Sequence, residues 1–244
     1  MSISFCSKIG KRPSNEDSHI ISDNLFAIFD GHGGAFCSKY LKEIFPDLIS
    51  RLNGSFNKTE INELFDLVQL SLINKYQTRL NNVGSTALIC IINDKYLNII
   101  NLGDCRCIIC NNNKPIQITV DHKPNKPDEK KRIEKLDGEI YKDVGDDWRV
   151  NCLSVSRSFG DLNAIPEVSH RPDIFTRRIN KDDQFVVMAC DGLWDVMTNL
   201  QVCQFILDEL KDGVKIENIA SNLAIYAIDK GSMDNITIII LFIL

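Results

Sequence analysis

The chain has 244 residues, 44% hydrophobic and 25% charged, the size and composition of one large globular domain, so a single domain over 1–244 is expected. A formal net charge of −5 argues against a nucleic-acid backbone or an anionic membrane as main partner, since both call for a basic face. The nine cysteines are an odd number lying mostly in apolar runs, which reads as buried free thiols in a reducing compartment.

Met1 to Phe5 lack the basic flank and apolar stretch of a signal peptide, and Ser2 stands where myristoylation needs glycine, so a cytoplasmic protein is expected. The first β signals are residues 3–7, 19–22 and the apolar run 25–29. After the Gly33-Gly34 turn the spacing predicts a helix over 35–49. A second is predicted over 59–80, with Ile61, Leu64, Phe65, Val68, Leu72 and Tyr76 on one face and Thr59 as N-cap. A meander follows, with strands at 85–92, 96–102, 106–110 and 115–119 joined by hairpin-length turns at 93–94 and 111–113. Pro127-Asp128-Glu129 open a helix running to Leu136, further strands lead to Cys190, and helices at 199–211 and 216–229 precede the last strand. That strand, 236–244, is far short of the roughly 20 apolar residues needed to span a bilayer. Strands in a meander with helices in separate groups indicate an α+β domain of packed antiparallel sheets flanked by helices. Cys107 and Cys110 form a C-x-x-C with no second pair or histidine cluster beside it, and strand alternation accounts for them.

Four Asp-Gly pairs occur, and two of them, Asp30-Gly31 and Asp191-Gly192, follow apolar runs, whereas Asp137-Gly138 and Asp212-Gly213 read as turns. A carboxylate at the end of a buried strand is costly unless a cation or several hydrogen bonds compensate it. Glu16, Asp17, Asp104, Asp195 and Asp234 occupy similar settings, and strand ends lying side by side would converge them. Carboxylates and carbonyls suit Mg²⁺ or Mn²⁺, or Ca²⁺, rather than zinc. Two such ions about 3.5–4 Å apart form the recurrent arrangement for phosphoester hydrolysis.

The order of the motifs resembles the type 2C (PPM) family of metal-dependent serine/threonine protein phosphatases. The resemblance rests on Gly10-Lys11-Arg12 through Glu16-Asp17, Asp30-Gly31-His32-Gly33-Gly34, Gly84-Ser85-Thr86-Ala87, Gly103-Asp104-Cys105-Arg106 and Asp121-His122-Lys123-Pro124. It continues through Ser156-Arg157-Ser158-Phe159-Gly160-Asp161, Asp191-Gly192-Leu193-Trp194-Asp195 and Gly231-Ser232-Met233-Asp234-Asn235. It implies a four-layer α-β-β-α fold, a central sandwich of two antiparallel β-sheets with α-helices on both sides. It also implies hydrolysis of phosphoserine and phosphothreonine by direct attack of a water bridging two Mg²⁺ or Mn²⁺ ions, with no phosphoenzyme and no catalytic cysteine.

By the same resemblance Asp30 bridges both metals, the Gly31 carbonyl assists at one, Asp191 and Asp234 hold one, and Glu16 and Asp17 surround the pair. Asp104 and Asp195 match a weaker third metal position. Arg12 matches the arginine that grips the phosphate, for which a guanidinium fork is suited. His32 matches the general acid that protonates the leaving oxygen. Arg157 lies near the site by resemblance, with holding the adjoining loop as its other reading, and His19, His122 and His170 read as structural. The partners implied are phosphorylated protein substrates, with no nucleic acid or membrane, and the protein is expected to be a monomer without the regulatory extensions of many relatives. Residues 139–151 correspond to a variable flap with no close counterpart, which leaves substrate preference open. The rivals are a pseudophosphatase acting as a binding module, which the complete set of aspartates opposes, and a nuclease-like phosphoesterase, which the acidic balance opposes.

Overall fold

The computed structural model describes residues 1–52, 56–93, 95–142 and 147–243. Strands β1 (Ser2–Lys8), β2 (Ser18–Ile21), β3 (Leu25–Phe29) and the two-residue β4 (Gly31–His32) come first, followed by helices α1 (Phe36–Ser50) and α2 (Lys58–Tyr76). The meander comprises β5 (Gly84–Ser85), β6 (Ala87–Asn93), β7 (Tyr96–Leu102), β8 (Arg106–Asn111) and β9 (Lys114–Gln117). Helix α3 (Pro127–Glu134), hairpin strands β10 (Ile140–Lys142) and β11 (Trp148–Val150), β12 (Phe159–Gly160), β13 (Asp173–Arg178) and β14 (Asp183–Ala189) follow. The chain then forms α4 (Asp191–Trp194), α5 (Asn199–Lys211), α6 (Ile216–Asp229) and β15 (Ile236–Phe242).

Two five-stranded sheets, ordered β1-β15-β14-β8-β9 and β13-β7-β6-β3-β2, are antiparallel at every pairing. Side-chain alternation produces the layers. On β3, Leu25, Ala27 and Phe29 face the core beneath α1 and α2, while Phe26 and Ile28 face the opposite sheet. On β14, Phe185, Val187 and Ala189 pack under α5 and α6, while Val186 and Met188 enter the space between the sheets. Both strands are therefore apolar on two faces, and each large side chain so buried contributes about 1.5–3 kcal/mol. The result is the four-layer α-β-β-α sandwich. Cys107 and Cys110 belong to different cores on the two faces of β8, so the C-x-x-C is a strand pattern.

Several local expectations need correction. The N-cap of α2 is Asn57, whose side chain accepts from the Glu60 N–H at 2.9 Å, rather than Thr59. That helix ends at Tyr76, and Gln77–Leu80 continue as a 3-10 turn. The strand expected over 85–92 is interrupted at Thr86, because its N–H donates to the Asp30 carbonyl and its hydroxyl accepts from the Asp30 N–H. The strand expected over 115–119 runs instead over Lys114–Gln117, and the helix expected to reach Leu136 stops at Glu134. Position 94 of the 93–94 turn and positions 143–146 of the flap lie outside the described residues.

Candidate active site

The antiparallel registers bring many loop residues to one end of the sandwich. Ser18 pairs with Phe29, Ala87 with Leu102, and Ala189 with both Arg106 and Ile238. Asp30 directly follows β3, Asp104 lies between β7 and β8, Asp191 opens α4 just beyond β14, and Asp234 precedes β15. Glu16 and Asp17 stand immediately before β2. Carboxylate oxygens of Asp30, Asp104 and Asp191 lie within 4.8 Å of one another, and those of Asp17 and Asp30 lie equally close to the Cys190 sulfur. Arg12, Glu16, Asp30, Gly31, His32, Asp104, Asp191 and Asp234 line one cavity of about 540 Å³.

Asp17 and Asp195 do not line that cavity. Asp17 sits behind Asp30 rather than in the cavity wall, with its Oδ2 accepting from Thr237 Oγ1 at 2.6 Å. Asp195 is exposed, stands at the end of α4 and lies outside both acidic clusters. Asp104, which the resemblance pairs with Asp195 at a weaker position, is itself in the triple with Asp30 and Asp191.

Gly31 allows the close approach the site needs, because a Cβ there would fall 2.5 Å from the Glu16 carbonyl oxygen. Asp234 accepts from Arg12 at 2.5 Å. Lys123 places its Nζ 2.5 Å from Asp104 Oδ2, with the two side chains only 18% and 1% exposed. His32 Nε2 lies 2.8 Å from both oxygens of Asp161.

Burial, then the charges of Asp191, Asp17, Asp104 and Asp234, hold the Asp30 carboxyl well above the usual carboxylate range. Asp191 is raised well above it by burial and then by Asp104, against the pull of Lys123. Burial brings Asp17 to about 6. Burial alone would lower His32, but the hydrogen bond and charge of Asp161 outweigh it and leave the imidazole raised. A concentration of carboxylates that raise one another, lining a cavity beside an arginine and a histidine, marks a site built to receive positive charge.

The family description "Protein phosphatase 2C" matches residues 4–236 of the chain. The chain belongs to the protein phosphatase 2C family. A PP2C-like domain-containing protein of Acanthamoeba polyphaga mimivirus is 42% identical over 168 residues, covering 60% of this chain and 93% of that protein. Probable protein phosphatase 2C 69 of Arabidopsis thaliana is 35% identical over 98% of this chain and 69% of its own length. The serine-threonine phosphatase 2C of Toxoplasma gondii superposes with a TM-score of 0.84 at 23% identity, over 98% of this chain and 94% of that one, which shows the shared fold. The chain is accordingly a protein phosphatase, and no helix among the described residues is long and apolar enough to cross a membrane.

Protein phosphatases 2C are metal-dependent, and the donor set here fits a hard divalent cation. Besides the clustered carboxylates, the buried Asp17 Oδ1 has no hydrogen-bond donor among the described residues. The nearby Cys190 sulfur is engaged by the backbone, donating to the Asn235 carbonyl and accepting from the Thr237 N–H, and a soft sulfur is the poorer donor for a hard cation.

Asn235, Lys123 and Asp161 are among the motif residues that received no role from the sequence. Asn235 donates to the carbonyls of Ile9 and Ser14 and accepts from the Glu16 N–H, tying the Arg12 loop to the start of β15. Lys123 pairs with Asp104, and Asp161 with His32. The only sequence signal for them was a polar residue inside a motif otherwise accounted for. Arg157 bonds Glu129, Asp173 and the Arg171 carbonyl, which fits its loop-holding reading. His122 accepts from the Gly103 N–H and reaches Asp173, His170 reaches Asp66, and the His19 ring lies against Phe5.

Proposed function

We propose that residues 1–244 form a single phosphatase catalytic domain that hydrolyses phosphoserine and phosphothreonine in proteins with two Mg²⁺ or Mn²⁺ ions. The observation that carries this reading is the convergence of Asp30, Asp104 and Asp191 oxygens within 4.8 Å at a cavity also lined by Arg12 and His32. Asp30, the Gly31 carbonyl, Asp191 and Asp234 would hold the two ions, with Glu16 and Asp17 around them. Asp104 and Asp195 would serve a weaker third position. When bound, such ions supply an activated water and charge stabilisation for the transferring phosphoryl group.

The remaining chemistry belongs to the chain's own side chains. Arg12 is 55% exposed on its loop, so its fork is free to turn from Asp234 to the phosphate oxygens. His32 gives a proton to the departing seryl or threonyl oxygen, a role favoured by an imidazole raised toward the protonated form. Eight of the nine cysteines are buried, and the reaction assigns a step to none of them. The substrates are phosphorylated proteins acted on by a cytoplasmic monomer.

The test is phosphate release from a phosphothreonine peptide with Mg²⁺, Mn²⁺ or EDTA, with wild type and Asp191→Asn in parallel. Metal-dependent release that the variant loses supports the reading. Folded wild type without turnover in either metal would make the chain a pseudophosphatase.

A further inference from the structure

Asp161 lies 129 residues from His32, yet both of its carboxylate oxygens stand 2.8 Å from His32 Nε2. Its side chain is 1% exposed, and its other hydrogen-bonding side chain is the buried Ser158, whose hydroxyl donates to Oδ2. No lysine or arginine pairs with it among the described residues. A carboxylate this deep needs donors to replace its hydration, and the imidazole N–H is the principal one available.

The backbone directs that carboxylate to His32. Asp161 precedes the 3-10 turn Leu162–Ala164, where an aspartate ordinarily caps, but its side chain makes no cap bond. Its φ of 46° lies in the left-handed region, held by its N–H donating to the Val83 carbonyl and by its carbonyl accepting from Ala164. A Cβ on Gly84 would fall 2.2 Å from Oδ2, so β5 leaves the carboxylate room only as glycine. Because Nε2 is taken, Nδ1 is the nitrogen left to serve the cavity that His32 lines.

We propose that Asp161 is a positioning residue for His32, keeping a proton on Nε2 and turning Nδ1–H toward the leaving oxygen of the substrate. This rests on His32 acting as general acid. As the phosphorus–oxygen bond breaks, its electron pair stays on the seryl or threonyl oxygen, which takes the Nδ1 proton. The imidazolium becomes a neutral imidazole still bonded to Asp161 through Nε2–H. The attacking water supplies the fourth phosphate oxygen, leaves one proton on it and releases the other to solvent, from which Nδ1 is reprotonated.

The test compares a phosphothreonine peptide, whose alkoxide needs a proton, with p-nitrophenyl phosphate, whose phenolate does not. Asp161→Asn keeps the volume and tolerates a left-handed backbone. It is expected to lower kcat on the peptide about 100-fold and on p-nitrophenyl phosphate less than about 5-fold, with KM unchanged. The double variant with His32→Gln should be no slower than His32→Gln alone. Equal losses on both substrates, or losses that multiply in the double variant, would overturn the role of Asp161 provided His32→Gln is itself selective for the peptide. An unselective His32→Gln would overturn the general-acid reading and this proposal with it. If Asp161→Asn does not fold, long-range proton–nitrogen spectra of the Mg²⁺-loaded wild type decide. The neutral His32 ring should carry its proton on Nε2, and a proton on Nδ1 would overturn the proposal.

Discussion

Arg12 and Asp234 are joined by a 2.5 Å ion pair, although one is assigned to the phosphate and the other to a metal. On the proposed roles neither keeps this partner during turnover, so cation binding at Asp234 and release of the Arg12 fork would be one event. Arg12→Ala should raise KM for a phosphopeptide by about 10- to 100-fold, while cation affinity measured by calorimetry is unchanged or tighter. The pair is 55% and 35% exposed, so its loss should change stability by less than about 1 kcal/mol.

Asp191→Asn should reduce phosphatase activity about 1000-fold or more, by removing a buried ligand charge. In EDTA the same variant should melt a few degrees higher than wild type, because burial and Asp104 already oppose a charge there. About 1 kcal/mol of relief corresponds to roughly 2–4 °C for a chain of this size. A lower melting temperature in EDTA would show that the carboxylates do not repel one another in the folded protein.

Stability without metal should depend on pH in the direction set by raised carboxyls. Asp17 moves from 3.8 to about 6, so its stabilising protonated form is fully present below pH 3.8 and is lost as pH rises through 6. Asp30 and Asp191, raised well above the same starting value, extend that loss to higher pH. Melting temperature in EDTA should therefore fall between about pH 4 and 7, and saturating Mg²⁺ should flatten the slope. An unchanged slope with Mg²⁺ would place the titrating groups elsewhere.

Glu129 carries the opposite sign. Burial would raise its carboxyl, but the hydrogen bonds and charge of Arg157, with Ser156 and Arg132, outweigh this and hold it at about 2, against 4.5 unperturbed. Its contribution is present above pH 4.5 and is lost as pH falls through 2. Glu129→Gln should cost about 2 kcal/mol in denaturant unfolding at pH 7 and little at pH 2.

Legibility in the sequence followed the range of the interactions. Strand β3 and helix α5 stand where local pattern places them, the latter bounded by a Thr198–Gln201 capping box and Gly213. The N-cap of α2 was misplaced because Asn57 and Thr59 are both competent caps, and the choice rests on which side chain reaches a free N–H. The three-stranded patch of β4, β5 and β12 was invisible because its two-residue strands carry no periodicity and exist only through distant partners. The acidic residues were legible because a carboxylate after an apolar run is conspicuous. Asp161 and Lys123 were not, because nothing local marks a partner 129 residues away or a loop lysine that folds inward.

Strand β15 lies between β1 and β14, so the last of the described strands is laid directly against the first. A ribosome-bound chain that has emerged through α5 carries Asp30, Asp104 and Asp191 but has no inner strand to join its two edges. Such distant pairings form slowly and late. A chain cut short before Asp234 should therefore lack both the strand that joins β1 to β14 and one carboxylate of the cavity.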